Sequence, residues 1–163
     1  MKTTKCRCGK TILLDDDLLT WFEGLNYYCD LNALRVGHVN VATLILNQGE
    51  SLLPDHIDRN KHNIQRSNLR AATSTQNCQN RSRSSQNESG YKGVRPTKYA
   101  RNKTVSSYQA RIQVDGVSMY LGTFPSAFLA AVAYNWTAIK HFGSFACLND
   151  LTKDAHFIGP TFN

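Results

Sequence analysis

The amino-acid sequence predicts an α+β protein with two small domains joined by a polar linker. Three observations support this prediction. Strand and turn patterns precede a capped helix between residues 54 and 81, residues 82–90 contain no apolar side chain, and residues 91–148 combine alternating strands with one long helix. A chain of 163 residues, 41% of them hydrophobic, is long enough for two small cores. We therefore place the domains at 11–81 and 91–148, the linker at 82–90, and short tails at 1–10 and 149–163.

Positive charge is concentrated in the middle of the chain. The formal net charge is +7, from 19 Lys and Arg against 12 Asp and Glu. Between Arg59 and Arg111 the one acidic residue is Glu88, whereas the acidic run Asp15–Asp17 keeps the first fifty residues nearly neutral. This asymmetry indicates a polyanionic partner for the end of the first domain and for the second domain.

The first part of the first domain carries a mixed pattern. Short strands are predicted at residues 12–14 and 25–29, with a helical turn at 17–23 between them. The apolar run 39–46 fits either a strand or a buried helix. No chemistry is evident here, so we expect this part to pack against the segment that follows.

A hairpin followed by a helix is predicted for residues 54–81. Pro54 leads into a strand, polar turn residues follow at 58–61, and the chain returns toward Asn68. Thr73 can cap the next helix, and Gln76 three residues later completes a capping box. Asn77 and Arg81 are spaced one helical turn apart on one face.

The residue types in this hairpin and helix suit a single divalent cation and a general base. Asp55 offers an anionic oxygen and Asn77 a neutral one, and both suit Mg²⁺ or Mn²⁺. His56 can accept a proton near neutral pH. Adjacent residues of a regular strand point to opposite faces, so Asp55 and His56 can share a site only if the strand is irregular or ends there.

In this order, Asp55-His56, Asn68 and Asn77 resemble the HNH family of nucleases, which have a ββα-metal site and include homing endonucleases of phages. The resemblance implies that His56 activates water and that Asp55 and Asn77 bind the metal. It also implies that Asn68 holds the hairpin and orients the histidine.

Other polar residues of this domain have weaker patterns. Arg70 and Arg81 are candidate phosphate contacts. We expect His62, in the polar turn, to be a surface residue. For His38, His141 and His156 we expect no chemical role.

The second domain is predicted to be a three-stranded antiparallel sheet packed on one helix. In the strand 107–115, apolar residues alternate with Gln109, Arg111 and Gln113, so one face is apolar and the other polar. Asp115-Gly116 predicts a two-residue turn into a strand at 118–124. Ser126 is expected to cap a helix that ends at Gly143.

This part resembles the DNA-binding domain of plant ethylene-response (Apetala-type) factors. The matching segments are Tyr-Lys-Gly-Val-Arg from Tyr91, Tyr-Leu-Gly-Thr-Phe from Tyr120, and Ala-Ala-Val-Ala-Tyr from Ala130. The resemblance implies that the polar sheet face contacts double-stranded DNA. The implied contacts come from Lys92, Arg95, Gln109, Arg111, Gln113 and Tyr120.

The helix of the second domain has little polar surface. Phe128, Leu129, Val132, Trp136 and Ile139 extend apolar character around it. A helix that is apolar all round is normally covered. We expect it to pack on the N-terminal region or on a second subunit, which would make the protein a homodimer.

The five cysteines are odd in number and scattered, and the sequence carries neither a signal peptide nor a long apolar run. These features favour a reducing, cytoplasmic location, that of a host cell if the chain is phage-encoded, and no membrane association. Cys6 and Cys8 admit a zinc site, for which Cys29 and His38 would be the remaining ligands. The alternative is free thiols on a loose N-terminus.

The sequence therefore predicts a metal-dependent DNA endonuclease with a separate DNA-binding domain. Two rivals stay open. One is a DNA-binding regulator built on an inactive nuclease scaffold, and the other is an RNA-binding role for the basic surface, although few exposed aromatic residues are available for stacking on bases.

Overall fold

The computed structural model describes residues 2–6, 8–30, 33–49, 51–84, 86–98 and 105–152. The chain divides into two compact units, Met1–Asn80 and Arg81–Asn163. Both contain short strands and helices, so the α+β class is confirmed. Among the described residues, no helix has the length and apolarity that a bilayer span requires.

In its described residues, the first unit contains three small sheets and three short α-helices. The elements are β1 (Lys2–Lys5), β2 (Thr11–Leu14), α1 (Leu19–Glu23), β3 (Tyr28–Cys29), β4 (Leu34–Val36), β5 (Val39–Asn40), α2 (Val41–Leu46), β6 (Leu53–His56), β7 (Leu69–Ala72) and α3 (Ser74–Gln79). The sheets are β1–β2, β3–β4–β5 and β6–β7, all with antiparallel pairing.

Two features at the start of this unit were not foreseen. Residues 2–5 lie in the predicted tail, yet they pair with β2 in register from Lys2 opposite Leu14 to Lys5 opposite Thr11. The sequence gives no sign of this strand because Lys-Thr-Thr-Lys contains no apolar residue. The ambiguous run 39–46 proves to be both alternatives, a two-residue strand followed by α2, whose N-terminus Asn40 caps.

The core of the first unit joins residues from distant parts of its chain. Its largest fully buried side chains among the described residues are Phe22, Ile12, Leu14, Leu34, Ile64 and Val41. Ile64 comes from the loop between β6 and β7, and its amide donates to the carbonyl of Leu13 at 2.8 Å. This contact fixes the loop of the hairpin against β2.

The predicted hairpin and capped helix are present. In the β6–β7 ladder, Asp55 lies opposite Arg70 and His56 opposite Leu69. The capping box of Thr73 and Gln76 is formed in both directions. Helix α3 ends at Gln79, so Arg81 lies beyond the helix and does not share a helical face with Asn77.

In its described residues, the second unit contains a three-stranded antiparallel sheet and one long helix. The elements are β8 (Val94–Lys98), β9 (Val105–Val114), β10 (Val117–Phe124) and α4 (Ala127–Phe142), and the strand order is β10–β9–β8. Asp115 and Gly116 form the predicted turn with φ of +48° and +81°, the left-handed values that a primed hairpin turn requires. Ser126 caps α4, and Gly143 follows its last residue, as the sequence predicts.

Helix α4 packs on the apolar face of this sheet. Ala110 and Ile112 of β9 are buried against Ala130, Ala131, Tyr134 and Ala138 of the helix. Gly93 has a φ of +74°, and a Cβ there would lie 2.1 Å from the Tyr134 ring. A glycine is therefore required at this position by both backbone conformation and packing.

The predicted linker is partly folded onto this sheet. Asn87 Nδ2 donates to the carbonyl of Tyr91 at 2.8 Å, and Ser89 Oγ donates to the carbonyl of Val94 at 2.9 Å. The end of the segment 82–90 therefore closes over the start of β8.

Three apolar side chains of α4 are exposed. Trp136 is 73% exposed, Ile139 51% and Leu129 45%. Exposed apolar residues aligned along a helix are unusual for a monomer. Their covering by a second subunit stays a prediction that light scattering can check.

Candidate active site

The hairpin β6–β7 and helix α3 bring four polar residue types together in the first unit. Asp55 and His56 are the last two residues of β6, and Arg70 faces Asp55 from β7. Asn80 follows the last residue of α3 and donates from Nδ2 to the carbonyl of His56 at 2.9 Å. Thus the helix end is tied to the strand end that carries the acid and the histidine.

Asp55 is a buried carboxylate held from two sides. It is 4% exposed, and Oδ2 lies 2.7 Å from both Nε and Nη2 of Arg70. From the other side, Asn80 Nδ2 donates to Oδ1 at 3.0 Å and to Oδ2 at 3.2 Å. A buried carboxylate is stable as an anion only when it is paired in this way, so the orientation of Asp55 is fixed by its neighbours.

Asp55 and His56 are neighbours in sequence, and the end of β6 explains how both can belong to one site. Regular strand neighbours point to opposite faces, yet both Asp55 and His56 are buried. The strand stops at His56, and Ile57 N then donates to the carbonyl of Asn68 at 2.9 Å as the chain enters the loop. The backbone is therefore leaving the strand where the two side chains lie.

His56 is buried without a partner for one of its ring nitrogens. It is 6% exposed, and among the described residues Nε2 has no hydrogen-bond partner. Burial lowers the pKa of His56 below 6.5, the nearby charge of Lys61 lowers it further, and Asp58 and Asp55 act in the opposite direction. The imidazole is thus neutral at neutral pH, which is the form that can accept a proton.

Asn68 holds the loop between the two strands. Its Nδ2 donates to Asp58 Oδ1 and to the carbonyl of Asn63, both at 2.9 Å, and its Oδ1 accepts from the amide of Asp58 at 3.0 Å. Asp58 also accepts from Asn63 Nδ2 at 2.8 Å. These hydrogen bonds close the loop directly after His56.

Asn77 lies on α3 with its side chain directed at β6. Its Nδ2 donates to the carbonyl of Pro54 at 3.3 Å, the residue before Asp55. The helix thereby presents an amide oxygen near the strand that carries the carboxylate.

Two contributions to this site were missed or assigned differently from the sequence. Arg70 was predicted to contact phosphate, and the structure places its guanidinium on Asp55. Asn80 was not among the predicted site residues, although it makes three hydrogen bonds at the site. Its position three residues after Asn77, at the helix end, was the available signal.

The second unit carries a separate polar surface. Because Ala110 and Ile112 face α4, Gln109, Arg111 and Gln113 lie on the opposite face of β9. Arg95 on β8 lies directly opposite Gln109, and Tyr120 on β10 lies opposite Arg111.

These side chains form a continuous surface across the sheet. The guanidinium carbon of Arg111 lies 5.4 Å from the centre of the Tyr120 ring, a cation–π distance. A shallow hollow of about 590 Å³ is lined in part by Arg95, Gln109 and Arg111. Five of the predicted contact residues therefore share one sheet face: Arg95, Gln109, Arg111, Gln113 and Tyr120.

Lys92 and Arg81 lie away from the strands of that face. Lys92 precedes β8, and its Nζ donates to the carbonyl of Arg81 at 2.6 Å. Its backbone is held by Asn149, whose Oδ1 accepts from the amide of Lys92 at 2.6 Å. The structure therefore brings Lys92 and Arg81 together at the start of the second unit.

Comparison with known proteins identifies one informative relative. No family model matches the chain, and no solved structure matches it. An uncharacterized HNH endonuclease of Acanthamoeba polyphaga mimivirus is 36% identical over 139 residues, which cover 80% of this chain and 67% of the relative. Together with the hairpin and helix that carry Asp55, His56 and Asn77, this likeness shows that the chain belongs to the HNH endonuclease family.

Proposed function

We propose that the protein is a metal-dependent endonuclease that hydrolyses phosphodiester bonds of double-stranded DNA, with a ββα-metal site formed by β6, β7 and α3. The observation that carries the proposal is the buried Nε2 of His56, which has no hydrogen-bond partner among the described residues and lies beside the fixed carboxylate of Asp55. A neutral imidazole next to an anchored acid is suited to removing a proton from water.

The residues around Asp55 fit a hard divalent cation. Asp55 supplies a carboxylate and Asn77 an amide oxygen, and both are ligands that Mg²⁺ and Mn²⁺ prefer. Asp55 Oδ2 accepts from Arg70 at 2.7 Å and from Asn80 at 3.2 Å, whereas Oδ1 accepts from Asn80 at 3.0 Å. When bound, a divalent cation would supply positive charge against the charge that develops on the leaving oxygen.

The reaction follows from the residues of the chain. His56 takes a proton from a water molecule through Nε2, and the resulting hydroxide attacks phosphorus in line with the 3′ oxygen. The bond between phosphorus and that oxygen breaks, and the leaving oxygen takes a proton from solvent, which gives a 5′-phosphate and a 3′-hydroxyl. Asn68 keeps the loop after His56 closed, and Asn80 holds the strand end that orients the histidine.

The sheet face of the second unit is the proposed DNA-binding surface. Arg95 and Arg111 provide cations for phosphates, and Gln109 and Gln113 provide amides that can bond base edges. The likeness to Apetala-type domains supports this use of a three-stranded sheet. Lys92, Arg70 and Arg81 are further proposed phosphate contacts, of which Arg70 already has an ion pair with Asp55.

A plasmid assay with Asn77 variants tests the metal-dependent step. Supercoiled DNA is incubated with the wild type in Mg²⁺, in Mn²⁺ or in EDTA, and with Asn77→Ala and Asn77→Asp. We expect conversion to open circles only with a cation, loss with Asn77→Ala, and partial retention with Asn77→Asp, which keeps an oxygen ligand. Retained DNA binding without cleavage under any metal would instead indicate the non-catalytic regulator.

A further inference from the structure

A second cluster of metal-binding residue types lies in the first unit, apart from Asp55 and Asn77. The ligand atoms of Cys6, Cys8, Cys29 and His62 all lie within 4.8 Å of one another. They come from the turn between β1 and β2, the end of β3, and the loop between β6 and β7. Three distant segments thus converge on one point.

The histidine of this cluster is His62, not His38, which the sequence suggested as the fourth zinc ligand. The prediction that His62 is a surface residue is wrong, since it is 9% exposed. The polar turn residues around it suggested exposure, but the loop is drawn inward by Leu13, whose amide donates to the carbonyl of His62 at 2.9 Å. In the described part of the chain, Nε2 of this buried ring has no hydrogen-bond partner.

The turn that carries the first two cysteines is tight and is held by backbone amides. The amide of Cys8 donates to Cys6 Sγ at 3.3 Å, and Gly9 N donates to the carbonyl of Cys6 at 2.9 Å. Gly9 has a φ of +83°, which allows the chain to reverse within this short turn. An amide that donates to sulfur stabilises the thiolate form that a metal requires.

A disulfide accounts for only half of the cluster. The sulfurs of Cys6 and Cys8 are paired as a disulfide in the structure. That pairing gives no reason for Cys29 and His62 to lie against the same two sulfurs, nor for a buried imidazole nitrogen to be left without a partner. Three thiols and one imidazole are a complete tetrahedral set for zinc.

We propose that Cys6, Cys8, Cys29 and His62 bind a structural Zn²⁺ ion in the reduced protein. All four positions are filled by protein ligands, which is the arrangement of a structural rather than a catalytic zinc site. The ion would fasten the β1–β2 turn, β3 and the β6–β7 loop to one another. Since His62 lies midway between His56 and Asn68, the zinc would also hold the loop of the candidate active site.

Such a cross-link adds most to the stability of a small domain. The first unit has a core of few fully buried side chains, and domains of this size often need a metal or disulfides for stability. The proposal does not depend on the nuclease activity, because its ligands and its readout are separate from Asp55, Asn77 and cleavage.

Metal analysis of the full chain tests the site. The protein is purified with a reductant, and its zinc content is measured by elemental mass spectrometry. Titration with a thiol-reactive reagent should release the zinc. We expect about one zinc per chain. Cys29→Ser and His62→Ala should lose the zinc and lower the thermal midpoint, whereas Cys78→Ser and His38→Ala, at exposed positions, should keep both.

Cobalt substitution keeps the test decisive if those variants do not fold. Wild-type protein loaded with Co²⁺ should show the intense thiolate charge-transfer and tetrahedral ligand-field absorption of a three-sulfur site. Absence of zinc and of these bands in the reduced wild type would overturn the proposal. So would peptide mapping that finds the Cys6–Cys8 disulfide intact after refolding with zinc and reductant.

Discussion

Arg70 and Asp55 face each other across the β6–β7 ladder, and two guanidinium nitrogens of Arg70 lie 2.7 Å from the same carboxylate oxygen. The arginine side chain is 17% exposed and the aspartate 4%. Arg70 thus acts on the candidate metal ligand itself. The pair holds the Asp55 carboxylate in a fixed orientation inside the hairpin.

Replacing Arg70 by alanine should strongly destabilise the first unit. The change leaves an uncompensated carboxylate at a buried position, which costs about 3–5 kcal/mol in comparable cases. Chemical denaturation measures the loss. Arg66→Ala is the matched control, because its ion pair with Asp17 is exposed and should matter little. Equal effects of the two changes would contradict this role of Arg70.

Replacing Asn80 by alanine should reduce both stability and cleavage. Asp55 and the carbonyl of His56 lose their shared donor, and an unsatisfied buried group costs about 1–3 kcal/mol. Asn80→Asp should be worse, since it puts a second carboxylate beside Asp55. Thermal unfolding and plasmid cleavage give the two readouts, and Cys78→Ala, on the exposed side of α3, is the control. An Asn80→Asp variant as active as wild type would refute the contact.

Stability of the first unit without divalent cations should fall as the pH is lowered. Burial lowers the pKa of His56 in the folded chain, whereas the unfolded chain titrates near 6.5. Below that value the unfolded chain binds the proton first. The contribution of His56 is therefore complete above about pH 6.5 and is lost as the pH falls toward the folded pKa.

Thermal midpoints at several pH values check this dependence. His56→Gln should make the thermal midpoint depend less on pH between about pH 7.5 and pH 5.5, since it removes the titrating group. His38→Gln, at an exposed position, should leave the slope unchanged. Parallel slopes for wild type and His56→Gln would show that His56 does not titrate differently on folding.

Replacing Arg111 by alanine should weaken DNA binding without unfolding the second unit. Arg111 is exposed on the polar sheet face beside Tyr120. Loss of one phosphate contact should lower affinity and reduce the salt dependence of binding by roughly one counterion. Fluorescence anisotropy over a range of salt concentrations measures both. Lys140→Ala removes an exposed cation from α4, and an equal loss there would argue against the sheet face.

Local patterns made much of this fold predictable. The capping box of Thr73 and Gln76, the Asp115-Gly116 turn and the helix from Ser126 to Gly143 depend on residues near each other in sequence. The hydrogen bonds that define these caps and turns join residues only a few positions apart in the sequence. Sequence alone therefore specified these elements.

Contacts between segments distant in sequence could not be predicted from local patterns. The pairing of Asp55 with Arg70, the burial of His62 and the strand at Lys2–Lys5 depend on which segments meet in space. A polar loop around His62 predicts exposure unless its contact with Leu13 is known. The residue types of the candidate active site were predictable, but their supporting hydrogen bonds were not.

Cleavage of supercoiled plasmid by His56→Ala tests the proposed function most directly. The variant is compared with wild type and with His38→Ala in Mg²⁺ and Mn²⁺. Each variant is first shown to be folded and to bind DNA as the wild type does. We expect His38→Ala to nick like wild type and His56→Ala to be slower by a factor of about 10²–10⁴, the usual contribution of a general base. Nicking by folded His56→Ala at the wild-type rate would contradict a catalytic role for this histidine.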